Sequence, residues 1–344
     1  MSSRSPYALA ALLVAGVLPS LACSKKGDGG ASTSAAASSS VQSIAPVSAE
    51  VTIDTPAGTL AGVFDVPAGN GVYPAVLIIA GSGPTDRDGN TIVPGATVRN
   101  DSLKLLAQAL VSRGIATLRF DKRGIGASKG VATKEEELRI DTFADDATQW
   151  VALLRRSQHV GKIALVGHGE GALIAVLAAK SAKVDAMVSI AGAGRPADVV
   201  LREQLATKIN GDLLAKADHL IDELKGGHID PEPPPELRAM FRPGVQPYVI
   251  SWMRYDPASQ LGELTMPTLI VQGTNDLQAS EQDARRLASA RPDAKLVMID
   301  GMNHVLKIVA GTTVDAQQRS YMDPSLPIAP KLVDEIATFV GSLR

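Results

Sequence analysis

The chain has 344 residues, of which 45% are hydrophobic and 20% charged, and its formal net charge is −2. This balance is typical of a folded soluble protein, and the length suits one large domain or two small ones. The slight excess of acidic residues gives no support for nucleic acid as a partner. Aromatic residues make up only 3% of the chain, so aliphatic side chains must fill its core.

The amino terminus has the pattern of an export signal over residues 1–22. Arg4 supplies the positive start, and the apolar run 8–18 is too short to span a bilayer. The run Ser20-Leu21-Ala22-Cys23 resembles a lipoprotein cleavage box, which would make Cys23 the lipidated first residue of a cell-envelope protein. The alternative is plain export to the periplasm or medium, with an incidental cysteine. Because Cys23 is the only cysteine, an intramolecular disulfide is excluded, and lipidation of Cys23 would leave the mature chain without a thiol nucleophile.

The segment 23–48 is predicted to be a flexible tether. It consists mainly of Ser, Ala, Gly and Lys, with almost no bulky apolar residue. Such a composition cannot bury enough surface to order the chain. We therefore expect the folded domain over residues 49–344.

Strands and helices alternate through most of this domain. The first two strands surround Pro56-Ala57-Gly58 and predict a hairpin at a sheet edge. The continuous apolar run 74–80 is typical of a strand buried on both faces of a parallel sheet. The pattern predicts strands at 51–55, 59–66, 74–80, 115–120, 163–166, 186–190, 268–272 and 295–299, and helices at 102–113, 142–157, 170–180, 280–290 and 331–343. This alternation indicates a doubly wound, mostly parallel α/β sheet.

The alternation stops at about residue 194 and resumes after residue 259. The intervening segment contains helical stretches at 198–209 and 213–225 and a proline-rich turn at 231–235. We expect it to form a cap over one end of the sheet. Its aromatic side chains either line an apolar pocket or form the small core of the cap, and the sequence leaves both open. The aromatic residues concerned are Phe241, Tyr248, Trp252 and Tyr255.

The run Gly167-His168-Gly169-Glu170-Gly171 joins a β-branched strand to an Ala- and Leu-rich helix. Strand, tight glycine turn and helix are the context of the nucleophile elbow Gly-x-Ser-x-Gly. The glycines at 167 and 171 match that motif and permit close approach of the strand and the helix. The central position, where the nucleophilic serine belongs, is Gly169, which has no hydroxyl group.

A glycine-rich loop, residues 81–90, follows the buried strand 74–80. Backbone N–H groups in such a loop can stabilise a developing oxyanion, with a second donor from the residue after the nucleophile. The candidate oxyanion donors are therefore Ser82 or Gly83, together with Glu170. An ordinary turn or a phosphate loop is the alternative, but the loop lacks the Gly-Lys-Ser/Thr ending of nucleotide-binding loops.

Asp276 and His304 each follow an apolar strand, so both belong at the same sheet edge as the elbow. The chain order of nucleophile position, acid and base is that of α/β hydrolases. In such a site a neutral imidazole accepts a proton, and the carboxylate fixes its tautomer. Either residue alone would be an unremarkable loop side chain, but together they predict a catalytic dyad.

The remaining polar motifs are assigned structural roles. We expect the turn 121–128 to pack beside the glycine-rich loop, with a substrate role for Arg123 as the less favoured alternative. We expect His168 to pack under a neighbouring loop. No spacing of His, Cys, Asp and Glu resembles a metal site, and the sequence implies no cofactor.

Several of these motifs together resemble those of bacterial esterases of the esterase D type, which have the α/β-hydrolase fold. The matching segments are 80–90, Asp-Lys-Arg-Gly-Ile-Gly-Ala-Ser at 121–128, Gly-His-x-Glu-Gly at 167–171, Gln-Gly-Thr-Asn-Asp-Leu-Gln at 272–278 and Gly-Met-Asn-His-Val-Leu-Lys at 301–307. The resemblance implies this fold over residues 50–344 and hydrolysis of carboxylic esters by Ser–His–Asp catalysis without a cofactor. The family's acid and base correspond to Asp276 and His304, and its serine corresponds to Gly169.

Three hypotheses about function follow. The first is a serine-hydrolase-type esterase in a natural or engineered form that lacks the nucleophile. The second is a binding or sensor protein that retains the pocket without turnover. The third is a His–Asp dyad enzyme that activates water directly. A peptidase would also need an anionic patch for the substrate amine, which the sequence does not identify.

Overall fold

A computed structural model describes residues 46–93, 96–131 and 134–343. The predicted export signal, Cys23 and nearly all of the predicted tether lie outside these residues. The first strand begins at Val47, inside the segment predicted as tether. Within the described ranges, each helix is too short or too polar to cross a bilayer.

The strands, numbered in chain order, form one large sheet and one small hairpin. They are β1 (Val47–Thr55), β2 (Gly58–Val66), β3 (Tyr73–Ile79), β4 (Thr91–Val93), β5 (Ala96–Val98), β6 (Ala116–Phe120), β7 (Val160–His168), β8 (Ala186–Ile190), β9 (Thr268–Gly273) and β10 (Lys295–Ile299). The large sheet has the order β1-β2-β6-β3-β7-β8-β9-β10, and β4 pairs only with β5.

The directions of the strands agree with those expected from the sequence. β1 and β2 form an antiparallel hairpin at the sheet edge, and β2 pairs antiparallel with β6. From β6 to β10 every neighbouring pair is parallel. The prediction of a doubly wound, mostly parallel sheet with an edge hairpin is confirmed.

Helices cover both faces of this sheet. They are α1 (Ser102–Val111), α2 (Ile140–Arg155), α3 (Glu170–Ala182), α4 (Ala197–Ala206), α5 (Gly211–Lys225), α6 (Arg238–Phe241), α7 (Gln246–Met253), α8 (Pro257–Gly262), α9 (Glu281–Ala290), α10 (Val314–Met322) and α11 (Pro330–Gly341). Helices α2, α3 and α9 pack in one apolar layer, which contains Trp150, Ile174 and Leu287. Helices α1 and α11 pack in the opposite layer, which contains Leu103 and Leu332.

The insertion between β8 and β9 consists of helices α4 to α8. Helices α4 to α7 share a separate apolar cluster, in which Leu205, Ile221 and Phe241 are buried. The inserted segment therefore has its own small core. It is linked to the main domain by contacts such as the edge-on ring pair of Phe143 on α2 and Tyr248 on α7, whose centroids are 5.8 Å apart.

The backbones of the sheet and of a helix approach closely where β3, β7 and α3 meet. A Cβ atom at Gly171 would lie 2.3 Å from the carbonyl oxygen of Ile79, and one at Gly167 would lie 2.2 Å from the carbonyl oxygen of Gly171. Both contacts involve backbone atoms, which cannot rotate aside as a flexible side chain could. These positions therefore require glycine, as the sequence motif indicates.

Replacing Gly171 by alanine tests this constraint. Because the new methyl group must push α3 away from β3, we expect Gly171→Ala to lower the free energy of unfolding by about 1–3 kcal/mol. The matched control is Gly130→Ala, where a Cβ atom meets nothing within 4 Å. We expect that control to stay within about 0.5 kcal/mol of the unchanged chain in urea denaturation. Equal denaturation midpoints for both variants would contradict the packing argument.

Candidate active site

Gly169 lies at the sharp turn between β7 and α3. Its backbone has φ 54° and ψ −120°, a conformation that glycine adopts without the steric cost of a side chain. The turn is fixed by two hydrogen bonds: the Gly169 N–H donates to the Ile190 carbonyl at 2.9 Å, and the Ala172 N–H donates to the Gly169 carbonyl at 3.1 Å. A Cβ atom at Gly169 would lie 3.4 Å from Nε2 of His304. A side chain at this position would thus point at the imidazole.

The structure brings Asp276 and His304 together beside this turn. The Nδ1 atom of His304 lies 2.9 Å from Oδ2 of Asp276, and the Asp276 side chain is only 1% exposed. The other carboxylate oxygen, Oδ1, accepts the N–H groups of Gln278 at 2.7 Å and Ala279 at 3.0 Å. Burial raises the pKa of Asp276, but His304 and these hydrogen bonds outweigh it, so the net pKa is below its ordinary value. Asp276 is therefore an ionised partner that orients the ring.

The loop after β10 that carries His304 is held by buried polar contacts. Asn303 donates from Nδ2 to Oε1 of Gln317 at 2.9 Å and to Oγ of Ser320 at 2.7 Å. Both acceptors lie on α10, a helix that the sequence analysis did not predict. Helix α10 therefore fixes the position of His304 from outside the sheet.

His168 supports the same loop from the sheet side, as the sequence analysis expected. Its ring lies 4.6 Å from that of His304, and its Nε2 donates to the His304 backbone carbonyl at 2.8 Å. Burial, followed by the proximity of His304, lowers the pKa of His168 to about 3. His168 is therefore neutral near pH 7, so it positions the loop without placing a positive charge beside His304.

The glycine-rich loop contributes Ser82 to the cleft that His304 also lines. Its Asp86 accepts the N–H groups of Asp88 at 2.9 Å and Asn90 at 2.8 Å, and the Arg87 N–H donates to Asp121 at 2.8 Å. These contacts fix the loop against the turn 121–128, as predicted. Within the described residues, the Ser82 and Gly83 N–H groups donate to no protein acceptor. They are thus available to a bound oxygen atom.

Glu170 supplies another free N–H, because the first residue of a helix has no carbonyl four residues back within that helix. It lies at the first position of α3, directly after Gly169. The structure thus brings four of the residues discussed above to the wall of one cleft: Ser82, Gly169, Glu170 and His304. Gly83 belongs to the same loop, with φ 66°, but it is not among the residues that line the cleft.

Lys122 is a buried cation that the sequence analysis did not single out. Its side chain is 3% exposed, donates from Nζ to the Gly81 carbonyl and lies 3.8 Å from Oε1 of Glu170. Its Nζ also lies 5.8 Å from the centre of the Phe143 ring. Burial is the main cause that lowers the pKa of Lys122, and the Glu170 carboxylate opposes it. Lys122 thereby joins the two chain segments that carry the free N–H groups. In the sequence, the one feature that could have drawn attention to Lys122 was its position between Asp121 and Arg123 in the turn 121–128.

Arg123 has a structural role, as favoured by the sequence. Its guanidinium donates two hydrogen bonds of 2.7 Å to the carboxylate of Asp146 on α2. The Asp146 side chain is fully buried. This paired contact fixes the turn 121–128 to α2. Arg123 is also absent from the residues that line the cleft.

The cleft above Gly169 opens to solvent. Its walls come from the sheet edge and from the inserted helices, and the residues beyond the site already described are Ala191, Ala193, Val200, Leu201, Gln204, Met240, Trp252, Gln278 and Ala279. Of the aromatic residues in the insertion, Trp252 lines the cleft, whereas Phe241 and Tyr248 are buried in apolar clusters. Phe241 thus lies in the small core of the insertion, Tyr248 and Tyr255 pack in the apolar layer of the main domain, and Trp252 lines the cleft.

Comparison with known families identifies the class of protein. The model of the alpha/beta hydrolase family matches residues 92–308, which is more than half of the chain. The chain belongs to this family, in agreement with its sheet order and elbow. Among the described residues, no group of His, Cys, Asp and Glu is arranged to hold a metal ion.

Among individual proteins, the chain is similar to esterase EstD of Thermotoga maritima. The two sequences are 29% identical over 289 residues, which is 82% of this chain and 65% of the relative. The chain thus spans about two thirds of the length of that protein. This sequence similarity supports the expected resemblance to bacterial esterases.

Solved structures resemble the chain in fold alone. Est1E from Butyrivibrio proteoclasticus, with ferulic acid bound, superposes with a TM-score of 0.58 at 18% identity, covering 85% of this chain and 98% of that one. The alpha/beta hydrolase GrgF from Penicillium sp. sh18 gives 0.55 at 18% identity, with 86% and 99% covered. Both comparisons agree with the predicted α/β-hydrolase fold.

The buried pair of Lys122 and Glu170 can be tested by a double-mutant cycle. Removing one partner leaves the other charge buried and unpaired, so Lys122→Met should lower the free energy of unfolding by about 3–5 kcal/mol. Adding Glu170→Gln removes that unpaired charge. We therefore expect the double variant to unfold at a higher urea concentration than the sum of the two single effects predicts. Strictly additive effects would show that the two side chains do not interact.

Proposed function

We propose that this chain is an esterase-type α/β hydrolase whose site for carboxylic esters is complete except for the attacking atom. The observation that carries the proposal is the position of Gly169. Its Cα faces His304, and a side chain there would lie within contact distance of Nε2. This position supports the assignment of Gly169 to the nucleophile position of the elbow motif.

The other groups have the chemistry that ester hydrolysis needs. His304 Nε2 faces the cleft and can accept a proton, while ionised Asp276 holds the Nδ1–H tautomer. The free N–H groups of Glu170 and of the Ser82–Gly83 loop can donate to a carbonyl oxygen that becomes negatively charged. A peptidase is less well supported: among the described residues that line the cleft, the one carboxylate is that of Glu170, and it lies 3.8 Å from Nζ of Lys122.

The absence of a serine hydroxyl at position 169 limits the activity. Loss of the nucleophile in a triad enzyme reduces kcat by a factor of about 10⁶. Binding and oxyanion stabilisation alone can still give about 10³–10⁴-fold acceleration over water. We therefore propose that the chain binds carboxylic esters and hydrolyses them very slowly.

The change Gly169→Ser tests this proposal. The unchanged chain should be nearly inert towards p-nitrophenyl esters and should not react with a fluorophosphonate probe. Because the elbow would present the introduced hydroxyl to His304, Gly169→Ser should create both activities. The measurements are the release of p-nitrophenol and the mass of the labelled protein.

A second change provides the control for this experiment. Adding His304→Ala to the Gly169→Ser chain should remove the gained activity, since no base then activates the hydroxyl. If Gly169→Ser folds and remains inert to both reagents, the proposed dyad or pocket is wrong. If the unchanged chain hydrolyses esters rapidly and depends on His304, direct activation of water by the dyad is the correct mechanism. Labelling of Ser82 in the unchanged chain would identify a different nucleophile.

We also propose that the protein is exported and anchored through a lipid on Cys23. The support is the signal-like pattern of residues 1–22 and the single cysteine that follows it. Cys23→Ser should release the protein from the membrane fraction or block its processing, as judged by fractionation and by the mass of the mature chain. A wild-type protein that is soluble and cleaved elsewhere would contradict the proposal.

A further inference from the structure

The peptide bond between Gly81 and Ser82 lies beside the turn at Gly169. The Cα atom of Gly81 is 3.8 Å from the point where a Cβ atom at Gly169 would lie, and Ser82 lines the same cleft as Gly169 and Glu170. Because a trans peptide is planar, its C=O and N–H groups point to opposite sides. The direction of the Gly81 carbonyl therefore determines where the Ser82 N–H points.

A buried side chain holds the Gly81 carbonyl. Gly81 follows the end of β3 and lies outside the regular strands and helices. In the described part of the chain no backbone N–H donates to its carbonyl, and the donor is instead Nζ of Lys122. Lys122 follows β6, the neighbour of β3 in the sheet, and it is not among the residues that line the cleft. The carbonyl thus points away from the cleft, so the Ser82 N–H points towards it.

A peptide that begins with glycine is easily turned over. Without a Cβ atom at Gly81, rotation about the bonds on either side of this peptide meets little steric resistance. The turned peptide would direct its carbonyl oxygen into the cleft, where it would repel a negatively charged oxygen. It would also leave the buried Nζ of Lys122 without its acceptor, which is costly for a charged donor. Lys122 therefore favours the orientation with the N–H towards the cleft.

We propose that Lys122 is the positioning residue of the oxyanion site: through the Gly81 carbonyl it keeps the Ser82 N–H pointing at the substrate oxygen above Gly169. This role rests on the proposed function, because it concerns the same ester site. It also distinguishes between the two candidate donors of the glycine-rich loop and assigns the donor to Ser82 rather than Gly83. Lys122 does not line the cleft, so it acts through the peptide and not on the substrate.

The same ammonium group is linked to the other oxyanion donor. Its Nζ lies 3.8 Å from Oε1 of Glu170, the residue whose backbone N–H begins α3. It also lies 5.8 Å from the centre of the Phe143 ring on α2, where the face of an aromatic ring attracts a cation. One cation thus lies between the loop after β3, the start of α3 and α2. The separation of the two N–H groups therefore depends on Lys122.

The charge of Lys122 adds to this geometric role. A hydrogen bond from an ionised donor is stronger than one between neutral groups. In a chain of hydrogen bonds inside a protein, each bond polarises the next. An ammonium group at the carbonyl end of the 81–82 peptide therefore strengthens the N–H at its other end as negative charge develops on the substrate oxygen. An apolar side chain of similar length, such as methionine, supplies neither effect.

NMR spectroscopy of the full mature chain, with Gly169 unchanged, tests this role without catalysis. With ¹³C at the glycine carbonyls and ¹⁵N at serine, coupled signals come from the two Gly–Ser peptide bonds of the sequence, 81–82 and 341–342. Both samples carry Glu170→Gln, so that removing Lys122 leaves no unpaired buried carboxylate. Adding Lys122→Met should move the Gly81 carbonyl and Ser82 nitrogen signals upfield, because this peptide loses its donor. The 341–342 signal, at the end of α11, should stay in place.

Kinetics in the Gly169→Ser background measure the effect on the reaction. There, adding Lys122→Met to Glu170→Gln should lower kcat for a p-nitrophenyl ester by about 10²–10³-fold, as for loss of one oxyanion donor. KM should change little, because the interaction strengthens in the transition state. The matched control is Leu332→Ala, which removes a fully buried side chain from the opposite apolar layer. It should lower the urea midpoint and leave both kcat and the 81–82 signal unchanged.

The two measurements separate this role from the proposed function. An unmoved 81–82 signal, or an unchanged kcat on adding Lys122→Met, would overturn the role of Lys122. An equal loss of kcat in Leu332→Ala would also overturn it, because lower stability alone would then explain the effect. If the signal moves and Gly169→Ser stays inert, the proposed ester hydrolysis falls, while the control of Lys122 over the Ser82 N–H stands. A moved signal together with a lower kcat and a constant KM would support both.

Discussion

The contact between α3 and the two central strands β3 and β7 is the constraint on which the site depends. Glycine at 167 and 171 lets the backbone of α3 approach the sheet to a distance that any side chain would prevent. The chain must then turn sharply, and Gly169 takes a positive φ of 54°. This turn directs position 169 outwards from the sheet edge and leaves the first N–H of the helix unpaired. The sharp turn and the unpaired N–H at the start of α3 thus have one common physical cause.

Buried charge organises the groups around this turn. Two pairs of titratable side chains lie beneath the cleft in the described part of the chain: Lys122 with Glu170, and Asp276 with His304. The pairs fix the glycine-rich loop, the start of α3 and the histidine loop relative to one another. Since buried charges are costly without partners, these contacts restrict the geometry more than they add to stability. Among these four side chains in the described part of the chain, Nε2 of His304 is the atom that faces position 169.

The sequence predicted the parts of the fold that depend on local pattern. The buried strands at β3, β7 and β8 and the edge hairpin followed from apolar runs and turn residues. The pairing of Asp276 with His304 followed from their positions after neighbouring parallel strands. The hairpin β4–β5 and helix α10 were missed, because short strands and a polar helix give little periodic signal. The role of Lys122 could not be predicted either, since its contacts come from residues 41 and 48 positions away in the chain. The sequence also could not show that Trp252 lines the cleft while Phe241 is buried in the core of the insertion, because tertiary packing decides this difference.

The central claim is that Gly169 occupies the nucleophile position of an otherwise complete hydrolase site. A crystal structure of the Gly169→Ser variant tests it most directly. We predict that the backbone of β7 and α3 is unchanged and that the introduced hydroxyl lies about 2.6–3.2 Å from Nε2 of His304. A hydroxyl that cannot reach His304 in any rotamer, or a turn that rearranges and separates His304 from Asp276, would contradict the claim.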